Sequence, residues 1–124
     1  MRHSSLLSFL NGERSPDELW REIEREVAEC LAACAKGGSG HVILTDGPDS
    51  PVAREQVAVL LTALAEARLP LGAASYIADA LIMSDDFEWE DDAVAEALFF
   101  LSDESAPLTL AGVKEARSRL ASAP

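Results

Sequence analysis

Residues 15–34 read SPDELWREIEREVAECLAAC, and this stretch predicts a long amphipathic helix. Ser15 can cap the first turn, Pro16 suits the first helical position, and Glu18 completes a Ser-x-x-Glu capping box. The apolar residues recur every three or four positions and so share one face; they are Leu19, Ile23, Val27, Cys30, Leu31 and Cys34. The other face carries mainly Glu and Arg, which indicates a helix on the surface of a core shared with other helices.

Further helical patterns follow a glycine-rich break. A second serine–proline pair, Ser50-Pro51, predicts the start of a helix that runs to about residue 68. Three later patterns predict helices at 73–84, at 91–101 and from the capping residue Thr109 to about residue 121.

These elements predict an all-α protein, a single compact bundle of four to five helices over residues 15–121. Residues 41–45 are aliphatic after the glycine-rich break. They are open to two interpretations, a short extended segment or a connection packed on the core. Residues 1–14 form an N-terminal segment that we expect to be partly ordered, with His3 in a mobile terminus.

The composition is typical of one folded domain. The chain has 124 residues, of which 48% are hydrophobic, too many for a disordered acidic tail. It has no run of about 18 apolar residues that would span a bilayer, and its start lacks the features of a secretory signal. We therefore expect a cytoplasmic protein that makes no membrane contact. Its negative charge also argues against direct nucleic-acid binding.

The charges are unevenly distributed along the chain. Between Arg68 and Lys114 there are ten carboxylates and no Lys or Arg, so this stretch contributes −10 to the net charge of −12. A surface of one sign repels itself and attracts basic partners. We expect the repulsion to raise the pKa values of these carboxyl groups as a set. Mild acidification and added salt should then stabilise the domain.

The densest part of the acidic stretch runs from residue 85 to residue 92. Acidic and aromatic residues alternate there, so an extended backbone would place Phe87 and Trp89 on one side and carboxylates on the other. The two aromatic residues are either core residues between helices or anchors of a binding surface. The candidate partner-binding residues are Asp85, Asp86, Phe87, Glu88, Trp89, Glu90, Asp91 and Asp92.

Several patterns approach a metal or phosphate site without meeting its requirements. Cys30 and Cys34 lie one helical turn apart, and His41 would be a third zinc ligand, but both cysteines fall on the apolar face of their helix. Lys36 and the glycines after it follow a helix, whereas a phosphate-binding loop follows a strand. A calcium loop that began at Asp86 would lack its glycine and its last carboxylate. We expect no metal site, no cofactor, and two buried, reduced cysteines.

Phe99, Phe100 and Leu101 are consecutive in a predicted helix. A helix turns by about 100° per residue, so the three side chains cannot all face one core. At least one of them should be exposed or lie in a contact between subunits, which makes a homodimer an open alternative.

The pattern as a whole predicts a small acidic protein-binding module. Its acidic face, residues 79–104, would bind a basic partner protein, as an inhibitor or an immunity-type neutralising protein does; this comparison rests on charge alone. One alternative is a homo-oligomeric assembly subunit that uses the apolar helices 73–84 and 91–101. Another is a small divalent-metal-binding protein or an enzyme. Because the chain has two histidines and no catalytic motif, enzymatic activity is not expected.

Overall fold

The structure is a computed structural model that describes residues 1–36, 42–103, 105 and 107–124. The described residues form six helices and two short strands, which confirms the predicted mostly helical class. In chain order they are α1 (His3–Leu10), α2 (Pro16–Ala35), β1 (Ser50–Val52), α3 (Arg54–Ala65), α4 (Gly72–Met83), β2 (Phe87–Trp89), α5 (Asp92–Ser102) and α6 (Leu110–Ser122).

Helix α2 begins as its sequence predicts. The Ser15 hydroxyl accepts a hydrogen bond from the Glu18 N–H at 3.2 Å, and the Glu18 carboxylate accepts one from the Ser15 N–H at 3.2 Å. The first part of the apolar face is buried through Leu19, Ile23 and Val27. The capping box and the helical periodicity therefore act together, one to start the helix and the other to attach it to the core.

The end of α2 differs from the prediction at the two cysteines. Neither cysteine forms a disulfide bond, as expected, but Cys30 is only half-buried and Cys34 is exposed. Leu31 already lies beside Gly72, the first residue of α4. Cys34 comes almost one turn later and lines an open groove together with Gly72 and Ser75. The prediction of two buried cysteines is wrong because α4, on which α2 packs, does not enclose this end of α2.

The N-terminal segment contains a helix that the sequence pattern did not predict. Leu6, Phe9 and Leu10 of α1 are fully buried, and their spacing of three and four residues places them on one helical face. His3 is only 2% exposed, so the expectation of a mobile histidine is wrong. Helix α1 packs against α2 and α3.

The serine–proline pair at residue 50 starts a strand instead of a helix. The Ser50 N–H donates to the Asp86 carbonyl oxygen at 2.8 Å, which pairs β1 with β2 in parallel. Helix α3 begins after Ala53, whose N–H donates to the side-chain oxygen of Gln56 at 2.8 Å. A serine followed by proline suits an extended segment as well as a helix start, and pairing with β2 selects the extended form. Residues 42–45 have no regular secondary structure, and His41 lies outside the described residues.

The helices that follow the two strands pack on one another in pairs and complete the core begun by α1 and α2. Helices α3 and α4 form the crossover from β1 to β2, with α3 packed on α6 and α4 packed on α5. The Thr109 hydroxyl accepts from the Gly112 N–H at 3.0 Å and so caps α6, as predicted. On α5, Leu101 is buried while Phe99 is 49% exposed. This confirms that consecutive apolar residues cannot all face the core.

Candidate functional site

The two faces of β2 differ as the alternation of its residues predicts. The Phe87 side chain is buried and the Trp89 side chain is half-buried, while Glu88 between them is exposed. Because strand side chains alternate between faces, β2 turns its aromatic residues inward and a carboxylate towards solvent.

Phe87 belongs to the core. Its ring stacks on the His3 imidazole with centroids 4.5 Å apart and planes inclined by 12°. Gly47 lies against the imidazole so closely that a β-carbon at that position would overlap it. Of the two interpretations of Phe87, the geometry favours a core residue, because its side chain has no free surface for a partner.

Trp89 lies at the margin of the core beside an exposed aromatic ring. It meets Phe99 of α5 edge to face, with centroids 5.3 Å apart and planes inclined by 87°. The indole nitrogen of Trp89 is buried and has no hydrogen-bond partner within the described residues. Phe99 is about half exposed, so this pair gives the acidic segment an apolar patch. The sequence placed Phe99 on α5 but did not connect it with Trp89.

The candidate carboxylates fall into two groups. Two of them have structural partners: Asp86 accepts from the Gly47 N–H at 3.1 Å, and Asp91 accepts from the Val94 N–H at 3.1 Å and so caps α5. The second group is exposed and takes part in no ion pair within the part of the chain that the structure describes; it consists of Asp85, Glu88, Glu90 and Asp92.

Asp91 also has a counter-charge that the sequence did not reveal. The Arg54 Nε donates to the Asp91 carboxylate at 2.7 Å, and the Arg54 Nη1 donates to the Ala123 carbonyl oxygen at 2.6 Å. Arg54 therefore connects the start of α5 with the end of α6. It lies 37 residues from Asp91 along the chain, so only the packing of α3 brings the two charges together.

The carboxyl pKa values do not rise uniformly across the acidic stretch. The Val94 N–H, together with the Arg54 guanidinium, holds the pKa of Asp91 below its ordinary value of 3.8. Hydrogen bonds from Ser105 likewise lower the pKa of Asp103. For these two residues the expected rise is wrong, because nearby hydrogen-bond donors stabilise the charged form more than desolvation destabilises it. Glu104, the end of the predicted acidic face, lies outside the described residues.

A groove lies between the α1–α2 turn and α3. It has a volume of about 640 Å³ and is lined by apolar residues such as Phe9 and Val59 and charged residues of both signs, among them Arg14, Arg68 and Glu55. The mixed charges select neither an anionic nor a cationic ligand. The sequence did not predict this groove, because its walls come from separate helices.

A metal site needs several ligand side chains close together in space. Within residues 1–36, 42–103, 105 and 107–124, no three His, Cys, Asp or Glu side chains are placed to hold a metal ion. The predicted glycine-rich segment 37–40 and His41 are outside these ranges.

No helix among the described residues has the length and apolar character needed to cross a lipid bilayer. Comparisons with models of protein families, with curated proteins and with solved structures found no match to this chain.

Proposed function

We propose that this protein is a binding module whose acidic face, residues 79–104, binds a basic partner protein, in the manner of an inhibitor or an immunity-type neutralising protein. The supporting observation is the group of exposed carboxylates at Asp85, Glu88, Glu90 and Asp92, for which the described residues supply no ion-pair partner. Charges of one sign without local counter-charges steer an oppositely charged protein to the surface that carries them.

An apolar patch next to the charges supports protein binding over simple solubility. Phe99 is about half exposed and contacts the half-buried Trp89. Interfaces commonly combine a central aromatic anchor with a polar or charged rim. A partner could bury Phe99 while its Lys and Arg side chains meet the carboxylates. An acidic surface that served solubility alone would need no exposed aromatic residue.

A triple amide variant tests the role of the charges. Asp85→Asn, Glu88→Gln and Glu90→Gln remove three exposed charges and leave the helix cap Asp91 and the first-turn residue Asp92 intact. We expect the unchanged protein to retain a basic partner from cell extract at about 50 mM salt and to lose it at about 500 mM, and the variant to retain much less.

A control variant of equal charge separates the acidic face from net charge. Glu24→Gln, Glu29→Gln and Glu66→Gln also remove three exposed carboxylates that take part in no described ion pair, and they lie on α2 and at the end of α3. If both variants lost the partner equally, net charge would explain the binding and the assignment to the acidic face would be wrong.

Exposed apolar residues favour a second candidate function, a homo-oligomeric assembly subunit. Met83 at the end of α4 is 70% exposed and Phe99 on α5 is 49% exposed, so the two helices that the sequence indicated both carry an exposed apolar side chain. Sedimentation velocity would distinguish the candidates. A dimer that persists at high salt and dissociates on Phe99→Ser supports assembly, whereas a monomer at all salt concentrations supports the binding module.

A further inference from the structure

The outer edge of β2 carries backbone groups that have no partner within the described residues. In the parallel pair, the Ser50 N–H donates to the Asp86 oxygen at 2.8 Å and the Glu90 N–H donates to the Val52 oxygen at 3.0 Å. Ser50 lies opposite Phe87 and Val52 opposite Trp89. In this register the N–H and C=O groups of Phe87 and Trp89 point away from β1. They are donors and acceptors for a third strand.

The outer edge of β1 does not offer the same groups. Pro51 has no N–H, and the next N–H on that side, of Ala53, already donates to the Gln56 side chain. Proline on an edge strand is a common means of preventing further strand pairing. The small sheet can therefore be extended on the side of β2.

The side chains on β2 set the chemistry of a strand added there. Glu88 and Glu90 are two residues apart, so they share the solvent face, and both are exposed. On the other face Trp89 lies next to the exposed Phe99. Side chains of an added strand alternate between the same two faces. One set would meet two carboxylates, and the other would meet an aromatic patch.

A second copy of this chain is a poor occupant of the edge. Two β2 strands paired edge to edge would bring Glu88 and Glu90 of one copy beside the same residues of the other, and like charges across a strand pair are destabilising. A strand with Lys or Arg at alternate positions would instead pair with both carboxylates.

We propose that the outer edge of β2 binds an extended segment of a basic partner, in which Lys or Arg alternates with apolar residues. This inference rests on the proposed function and adds the mode of binding. Backbone hydrogen bonds to Phe87 and Trp89 hold the segment, Glu88 and Glu90 select its basic residues, and the Trp89–Phe99 patch receives its apolar residues.

A capped hexapeptide of alternating lysine and valine is the probe. We expect it to slow amide hydrogen exchange at Phe87 and Trp89 by about tenfold or more when the site is saturated. The Ser50 and Glu90 amides already donate within the sheet and should change less. A peptide with the same composition in blocks, three lysines and then three valines, should bind more weakly. Glu88→Gln with Glu90→Gln should weaken binding of the alternating peptide.

Two N-methylated forms of the peptide test the backbone contact directly. In the alternating peptide every second residue turns its N–H towards β2, so these N–H groups belong either to the valines only or to the lysines only. Methylation of the valine nitrogens should abolish binding if the strand is antiparallel, and methylation of the lysine nitrogens should do so if it is parallel. The other form should bind as the unmodified peptide does.

Several outcomes would overturn this inference. If the peptide bound with unchanged exchange at Phe87 and Trp89, or if both N-methylated forms bound equally well, the edge would not be the site, yet an acidic face that binds basic proteins would stand. Equal binding of the alternating and block peptides would have the same meaning. A free protein that sediments as a dimer with both amides already protected would show that a second copy occupies the edge.

Discussion

His3 and Gly47 show how one missing side chain makes room for another. The imidazole is almost fully buried between Phe87 and Gly47, and its Nε2 has no hydrogen-bond partner among the described residues. The histidine thus contributes mainly a flat ring that fills the space between α1 and β2. This explains why a glycine lies at position 47, where the backbone φ places no demand for one.

We predict that Gly47→Ala lowers the free energy of unfolding by about 1–3 kcal/mol, because the new methyl group overlaps the imidazole. In a His3→Ala background the same change should cost little, which chemical denaturation of the four proteins in a double-mutant cycle would measure. Gly12→Ala is the control, since a β-carbon at Gly12 would have no neighbour within 4 Å and its effect should not depend on His3. Equal costs of Gly47→Ala in both backgrounds would contradict the overlap.

Ala67 has a backbone conformation that alanine rarely adopts. Its φ is +58°, and it lies just after α3, where the Ala67 and Arg68 N–H groups donate back to Leu64 and Ala63. Glycine is the usual residue at such a helix end. We predict that Ala67→Gly raises the free energy of unfolding by about 0.5–1 kcal/mol, since it relieves left-handed strain. Ala28→Gly, at an exposed position inside α2, should lower it by about 1 kcal/mol.

Asp91 makes the stability of the fold depend on pH in a way that can be assigned to this one residue. Its pKa lies below the ordinary 3.8, first because the Val94 N–H donates to it and also because Arg54 pairs with it. A lowered pKa means that the charged form stabilises the fold above pH 3.8, and that this stabilisation is lost as the pH falls through the folded value.

We therefore predict that Asp91→Asn melts at a lower temperature than the unchanged protein at pH 7. Asparagine keeps the helix cap but loses the charge that pairs with Arg54. The difference between the two proteins should shrink as the pH falls below 3.8, in thermal melts followed by circular dichroism. Glu88→Gln, at an exposed residue without a described ion pair, should not lower the melting temperature at pH 7.

At the scale of elements, one tyrosine connects three parts of the fold. The Tyr76 hydroxyl of α4 donates to the Glu26 carboxylate of α2 at 2.8 Å and accepts from the Ile43 N–H at 3.2 Å. Burial and the nearby Glu26 charge raise the pKa of Tyr76 from 10.0 to about 12. The raised value means that this stabilisation is present below pH 10 and is lost as the pH rises towards about 12.

We predict that Tyr76→Phe lowers the free energy of unfolding by about 1–2 kcal/mol, because the half-buried Glu26 carboxylate and the Ile43 N–H each lose a hydrogen-bond partner. The chain has a single tyrosine, so an ultraviolet absorbance titration reports on it alone and should show a midpoint near pH 12. A midpoint near 10 in the folded protein would mean that the hydroxyl is solvated and does not connect α4 with α2.

At the scale of the whole molecule, the excess negative charge opposes the compact state. The net charge is −12, and the described ion pairs include none to Asp85, Glu88 or Glu90. We predict that the triple amide variant of these residues raises Tm by about 2–4 °C at low salt. Added salt should stabilise the unchanged protein more than the variant, since screening and charge removal relieve the same repulsion.

The control variant at Glu24, Glu29 and Glu66 should gain less stability. Arg21 lies three residues before Glu24 and Arg25 four residues before Glu29 on α2, so removal of these two carboxylates also loses attraction. Calorimetry would measure Tm of both variants at two salt concentrations. If the triple amide variant melted no higher than the unchanged protein, the carboxylates of the acidic face would be fully solvated, and their repulsion would not destabilise the fold.

The amino-acid sequence by itself determined the features that depend on near neighbours. The capping box of α2 joins residues three positions apart, and the alternation along β2 is a property of consecutive residues. The exposure of Phe99 follows from the geometry of one helix. Each of these needs no knowledge of the rest of the chain, since helical and extended backbones fix the directions of neighbouring side chains.

Only the tertiary structure decided which distant segments meet. Residue 50 joins a strand because β2 offers it a partner, and Arg54 finds Asp91 because α3 packs beside α5. Helix α1 is ordered because α2 and α3 receive its apolar face. These contacts depend on how all the apolar faces are buried together, and local spacing does not encode that choice. The open edge of β2 is likewise a consequence of pairing: each strand of a two-stranded sheet has one outer edge, and Pro51 blocks the edge of β1 but nothing comparable blocks that of β2 among the described residues.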